Sequence, residues 1–256
     1  MVESAMGWRD LLAGVRRRLR PTPGRVQPPP HQLASVAAVI EALRAVDGTL
    51  EPGDGIRHFN RMYLRVTELV AARIEDGTFG DREFITRLDI VFAHLYLDAV
   101  RGSGQDVPRC WAPLFESRDA PLVPVQFAIA GMNAHINHDL PVAVVQTCRQ
   151  LGKDPGDPGV RADYDLVTKV LAEGHEEVRQ SFLSGIALDV DRELAPVLTL
   201  VGSWSIGRAR DAAWVNTEVL WQLQHLPELD AEFRDTLSRS VGLAGRALLT
   251  LVPEPV

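Results

Sequence analysis

The sequence predicts an all-α protein: a single globular domain of about seven or eight helices with a kinked central helix. Three observations lead there. Apolar residues recur at 3,4 spacing through nearly every segment after Gln32. No segment shows period-2 alternation bounded by turns. Clusters of Gly, Pro and Asp cut the chain into helix-length pieces.

Residues 1–20 read as a basic amphipathic helix, with Trp8, Leu11, Leu12, Val15 and Leu19 as its apolar stripe and Arg9, Arg16, Arg17, Arg18 and Arg20 around it. Such a helix rests on a membrane surface or a partner protein, or docks on its own domain, and its shortness favours docking. It is not a secretory signal, because no hydrophobic core follows the basic residues. Residues 21–31 are a proline-rich linker, and 32–256 form the helical domain.

Within that domain Leu33, Val36, Ala37, Ile40 and Leu43 mark a helix ending near Asp47-Gly48. A loop over Glu51–Gly55 precedes a long helix through Phe59, Met62, Tyr63, Val66, Leu69 and Val70, stopped at Asp76-Gly77. Asp81 is the expected N-cap of the next, which runs through Phe84, Leu88 and Phe92 to Arg101-Gly102. Gly102–Pro124 reads as a packed loop carrying Trp111 and Phe115. After the breaker at Lys153–Gly159, helices are expected over Arg161–Leu183, Asp189–Leu200, Trp204–His225 and Leu229–Leu251.

The central helix, Val125 to Pro141, is the unusual one. It is apolar, yet carries Asn133, His135, Asn137, His138 and Asp139 before meeting Pro141. At about 100° per residue, His135, His138 and Asp139 share one face and the two asparagines the opposite one. Buried polar groups must be satisfied internally, and Pro141 either kinks the helix, displacing the carbonyl of Asn137, or ends it near Leu140. An irregular polar spot in an apolar element is where chemistry is expected.

Composition narrows the function classes. Hydrophobic content of 46% and charged content of 24% are those of an ordinary globular protein. A net charge of −7 argues against general affinity for nucleic acid. Cys110 and Cys148 give neither a disulfide framework nor zinc-finger spacing, so a reducing cytoplasm is the expected location. No Gly-x-Gly-x-x-Gly, P-loop, Gly-x-Ser-x-Gly or His-Glu-x-x-His is present, and no nucleotide cofactor is expected.

His135-x-x-x-Asp139 places an imidazole and a carboxylate one turn apart, the spacing that metal ligands on a helix require. His94-x-x-x-Asp98 repeats it, either as a second ligand pair or as a solvated helix face. His58 and His138 complete the candidate metal ligands. Asp89 is the candidate base. Asn133, Asn137, His138, Tyr63, Tyr96 and Arg208 are candidate ligand contacts, with Arg208 and Asp211 beside Trp204 suited to an anion. His31, His175 and His225 offer nothing specific.

The runs Asn133–Pro141, Phe59–Thr67 and Leu88–Ala93 resemble a bacterial family of uncharacterised proteins, with a likeness extending from about Gly55 to Trp214. His135, Asp139 and Pro141 are also similar to the zinc-dependent phospholipase C and single-strand nuclease group, which is all-α and places a His-x-x-x-Asp helix on zinc. The proline here comes sooner, and Val142–Val145 stands where that group has a further histidine.

Three functions are therefore expected as alternatives. The first is a metal-dependent, hydrolase-like enzyme acting on a small ester or phosphoester, with zinc, manganese or magnesium lowering the pKa of a bound water and Asp89 taking its proton. The second is a metal-free helical protein that binds a small apolar molecule, as an isomerase, cyclase or carrier. Magnesium–diphosphate chemistry on isoprenoids is a minor branch of it, since no Asp-Asp-x-x-Asp run is present. The third is a scaffold whose buried polar network specifies helix packing.

Overall fold

The central apolar stretch forms one continuous helical rod through Pro141, and other helices pack around it. A computed structural model describes residues 34–102, 106–173 and 205–250. Its elements are α1 (Val36–Thr49), α2 (Gly55–Glu75), α3 (Arg82–Arg101), α4 (Ala112–Glu116), α5 (Pro124–Ala134), a π-helical turn (His135–Asp139), α6 (Leu140–Leu151), α7 (Pro158–Glu173), α8 (Ile206–Leu223) and α9 (Pro227–Leu248). Among the described residues there is no strand, and the architecture is all-α. None of these helices is long and apolar enough to cross a membrane. The readings for 1–20, 21–31 and 189–200, and those for His31, His175 and Trp204, lie outside the described residues.

The helix ends follow local chemistry. Ser35, Asp54, Asp81 and Ser205 each cap a helix, their side chains accepting backbone N–H bonds from Ala38, Ile56, Phe84 and Arg208. Gly152, at φ +64°, closes α6 while the Lys153 N–H bonds the Cys148 carbonyl at 2.9 Å. The segment read as a packed loop contains α4, with Trp111 and Leu114 fully buried, and its Arg118 side chain pairs with Asp54.

Pro141 acts on the turn before it. A proline there offers no N–H and crowds the preceding carbonyls. The chain answers by widening one turn: the Leu140 N–H bonds the His135 carbonyl, five residues back, and α6 continues beyond. The polar cluster therefore sits in a π-helical turn inside a continuous rod.

Helices α2, α4 and α9 pack against α5, while α3 and α8 pack against α6. The π turn is reached by α3, α8 and α9 together. Two apolar cores result, one around α5 and one around α6, and Phe92 and Met132 pack against both. The site lies at this seam. Close approach of α2 to α5 requires Gly131, where a Cβ atom would stand 2.3 Å from the ring of Phe59. Phe59 is fully buried and cannot give way. Gly131→Ala is expected to destabilise the fold by about 1–3 kcal/mol, read as a lower midpoint in urea unfolding.

Candidate functional site

The site is built on Asp139. Its carboxylate is 2 % exposed and accepts from three directions. Trp111 Nε1 donates to Oδ2 at 3.0 Å, His135 Nδ1 lies 3.0 Å from the same oxygen, and His138 Nδ1 lies 2.8 Å from Oδ1. Burial pushes the carboxyl pKa up, but the hydrogen bonds from His135 and His138 outweigh it and hold Asp139 below the usual carboxylate range. An ionised carboxylate only accepts, so both imidazoles present Nδ1–H to it. His135 is then left with Nε2 as an unprotonated acceptor. Burial lowers the His135 pKa, against the pull of Asp139, so the ring stays neutral at neutral pH.

Aromatic rings enclose that imidazole. Phe92 stacks on it at 3.5 Å between centroids, Tyr63 meets it edge-on at 4.5 Å, and Phe59, Trp111 and Tyr96 stand at 5.8 to 6.1 Å. His135 Nε2 is buried and has no hydrogen-bond partner. His135 is one of the residues that line a cavity of about 50 Å³, with Phe59, Tyr63, Phe92, Ile136 and Arg210. An adjoining cavity of about 60 Å³ is lined by Tyr63, Leu88, Asp89, Phe92, Leu140 and Arg210. A cavity of about 150 Å³ takes up benzene, so these spaces suit a small ligand and not a long chain.

Two further polar atoms belong to these walls. Asp89 Oδ2 is enclosed without a partner, and burial raises the Asp89 pKa from 3.8 to about 7. The Tyr63 hydroxyl is likewise unpartnered; Thr67, one turn on, donates its own hydroxyl to the Tyr63 carbonyl at 2.9 Å. Burial, then Asp89, pushes the Tyr63 pKa well up.

Of the residues singled out in the sequence, the structure brings His135, His138 and Asp139 into one hydrogen-bonded group and sets Tyr63 and Asp89 beside it. Asn133 and Asn137 do lie on another face. Asn137 donates to Asn133 Oδ1 at 3.1 Å, and Asn133 donates to the Val241 carbonyl at 2.9 Å, tying the rod to α9. Tyr96 donates to Asn60, which donates in turn to the Leu43 carbonyl. His58 stacks on Phe127 at 5.9 Å, and burial followed by Arg61 lowers its pKa. Asp98 is 67 % exposed and pairs with Arg101, so the 94/98 pair does not join the buried one. Arg208 is exposed on α8.

Three residues of the site were not read from the sequence. Trp111 sits in a segment without periodicity, and nothing local signals its bond to Asp139. Cys110, buried beside it, joins His138 and Asp139 in a group whose ligand atoms all lie within 4.8 Å of one another. Arg210 is 4 % exposed. Its signal was available, because it falls on the apolar stripe of Ala213, Trp214 and Thr217.

The opposed shifts of Asp89 and His135 fix how stability responds to pH. Asp89 binds its proton more tightly when folded, so its cost is absent below about pH 4, grows as pH rises and is complete above about 7. His135 binds its proton more weakly when folded, so its cost appears as pH falls below 6.5. Asp89→Asn is expected to exceed the wild type in stability by on the order of 2–4 kcal/mol at pH 8 and to match it near pH 4, measured by urea unfolding across pH. A constant offset would contradict the assignment.

Neither a curated protein nor a solved structure matches the chain. The model of a family of unknown function, DUF5995, matches residues 36–251, from the start of α1 to just beyond α9 and including every residue of the site. The chain belongs to that family.

Proposed function

We propose that the protein is an enzyme that moves a proton on a small, mainly apolar molecule, with His135 Nε2 as the base. The observation that carries this is one atom: a buried imidazole nitrogen, unpartnered, fixed as an acceptor by the Asp139 contact at its other nitrogen, on a residue that lines an apolar cavity. This is the sequence's second expectation made more specific. Asp139 orients the ring and stabilises the imidazolium that forms when Nε2 takes a proton. Asp89, raised to about 7, retains a proton near neutrality and is placed to return one in the adjoining cavity. Two groups whose surroundings drive their pKa values in opposite directions make an acid–base pair. The apolar walls exclude water and strengthen both effects. A substrate whose C–H is made acidic by a neighbouring carbonyl fits this chemistry. The two cysteines are free and buried, which accords with a reducing, cytoplasmic location.

A second reading retains the metal. Cys110, His138 and Asp139 present sulfur, nitrogen and oxygen donors at spacings that suit zinc. None of the three lines either cavity, so a metal there stands behind the base, with no face on the ligand space. Holding it also requires His138 to release its bond to Asp139, and a Cys110 thiol whose pKa burial has raised to give up its proton.

One experiment separates the readings. Small ketones, esters and acids with an α-hydrogen are incubated with the protein in D₂O, and deuterium uptake is read by mass spectrometry, with elemental analysis on the same sample. Exchange by the wild type that falls about 10²–10⁴-fold in His135→Gln, without bound metal, is expected. Exchange that survives in His135→Gln, or that requires stoichiometric zinc lost in Cys110→Ser, contradicts the proton-transfer reading.

A further inference from the structure

Among the described residues, Arg210 is a buried cation without an anion. Its side chain lies under α8, 4 % exposed, and Arg210 is among the residues lining both cavities. Nε donates to Thr168 Oγ1 at 2.8 Å and Nη2 to the Tyr164 carbonyl at 2.9 Å, while the Tyr164 ring lies 4.2 Å from Cζ. These contacts fix the plane of the group from one side and leave Nη1 and part of Nη2 uncommitted. No carboxylate lies within ion-pair distance of it among the described residues. Asp165, the nearby acid of α7, is paired with Arg161 at 2.9 Å, and Asp211 is exposed.

Elsewhere the fold treats its partly buried arginines differently. Arg57 shares Asp47 with Arg61, Arg118 takes Asp54, and Arg234 takes Asp230. A desolvated charge without a partner costs several kcal/mol, and structures keep one chiefly where a ligand supplies the missing charge. Asp89, which lines one of the same cavities, makes no hydrogen bond to Arg210.

We propose that Arg210 is the anchor for the carboxylate of the ligand, so that the cavity molecule is a small acid with an apolar body. The assignment rests on the cavity reading above and names the substrate class for it. A planar guanidinium matches a carboxylate edge to edge. Apart from Tyr63 and Asp89, the other lining groups, among them Val66, Val70, Leu88, Phe92 and Leu171, are apolar and receive the rest of the molecule. A phosphate needs more donors than this wall supplies. Volumes near 50 and 60 Å³ limit the body to about one or two carbons.

The test compares acetate with acetamide, and propanoate with propanamide, by calorimetry and saturation-transfer NMR on the full chain. The wild type is expected to bind each acid at least about tenfold more tightly than its amide. That preference is expected to vanish in Arg210→Gln and to be retained in part by Arg210→Lys, with amide binding little changed. If Arg210→Gln fails to fold, the Lys variant and the acid-to-amide ratio of the wild type still decide. Equal binding of acid and amide, or an acid preference that persists in Arg210→Gln, overturns the anchor and leaves the cavity reading standing. Binding of neither overturns both.

Discussion

The structure depends on the carboxylate of Asp139 being ionised in a place where burial opposes it. Three N–H donors from three parts of the chain make that state stable: Trp111 from the start of α4, His135 from the beginning of the π turn, and His138 one residue away. Each donor is also held by something else. Trp111 is fully buried and packs against Phe59, Tyr96 and Phe115, and His135 is pressed against Phe92. Removing the charge leaves three buried donors without their acceptor, a penalty larger than the loss of any one bond. The carboxylate thereby fixes the tautomer of His135, docks the α4 segment onto the central rod and leaves the other ring nitrogen without a partner.

The π turn is what allows this convergence. In a plain α-helix His135, His138 and Asp139 fan over part of one face. Widening the turn by one residue changes that relation and lets a single carboxylate meet both rings. The cause lies two residues beyond Asp139, in Pro141, and the consequence is the meeting of both rings on one carboxylate. Gly131 makes a parallel contribution one turn earlier. It lets Phe59 approach the rod closely and so completes the aromatic wall.

Much of this was legible in the sequence, for reasons that differ from one element to the next. The helices with a 3,4 stripe and a capping residue, such as Asp81 before Phe84, were readable because their determinants are local. That His135 and Asp139 stand together was readable because they lie one helical turn apart in an apolar helix. What they do to one another was not. The i, i+4 pair suggested two ligands facing a common metal, whereas the structure has one side chain hydrogen-bonded to the other. Trp111 and Cys110 reach the site from a loop, through contacts that no periodicity encodes. On α8, Arg208 drew notice beside Asp211, but helical spacing puts Arg210 on the buried stripe and Arg208 in solvent.

The central claim is that Asp139 holds His135 as a neutral ring with its proton on Nδ1. Nitrogen-15 NMR of histidine-labelled protein reads this directly, with His135→Gln assigning the resonance. At pH 7 the account predicts a protonated Nδ1, an unprotonated Nε2 and a titration midpoint below 6.5 for this ring. A proton on Nε2, or an imidazolium at neutral pH, would contradict it and remove the base from the site.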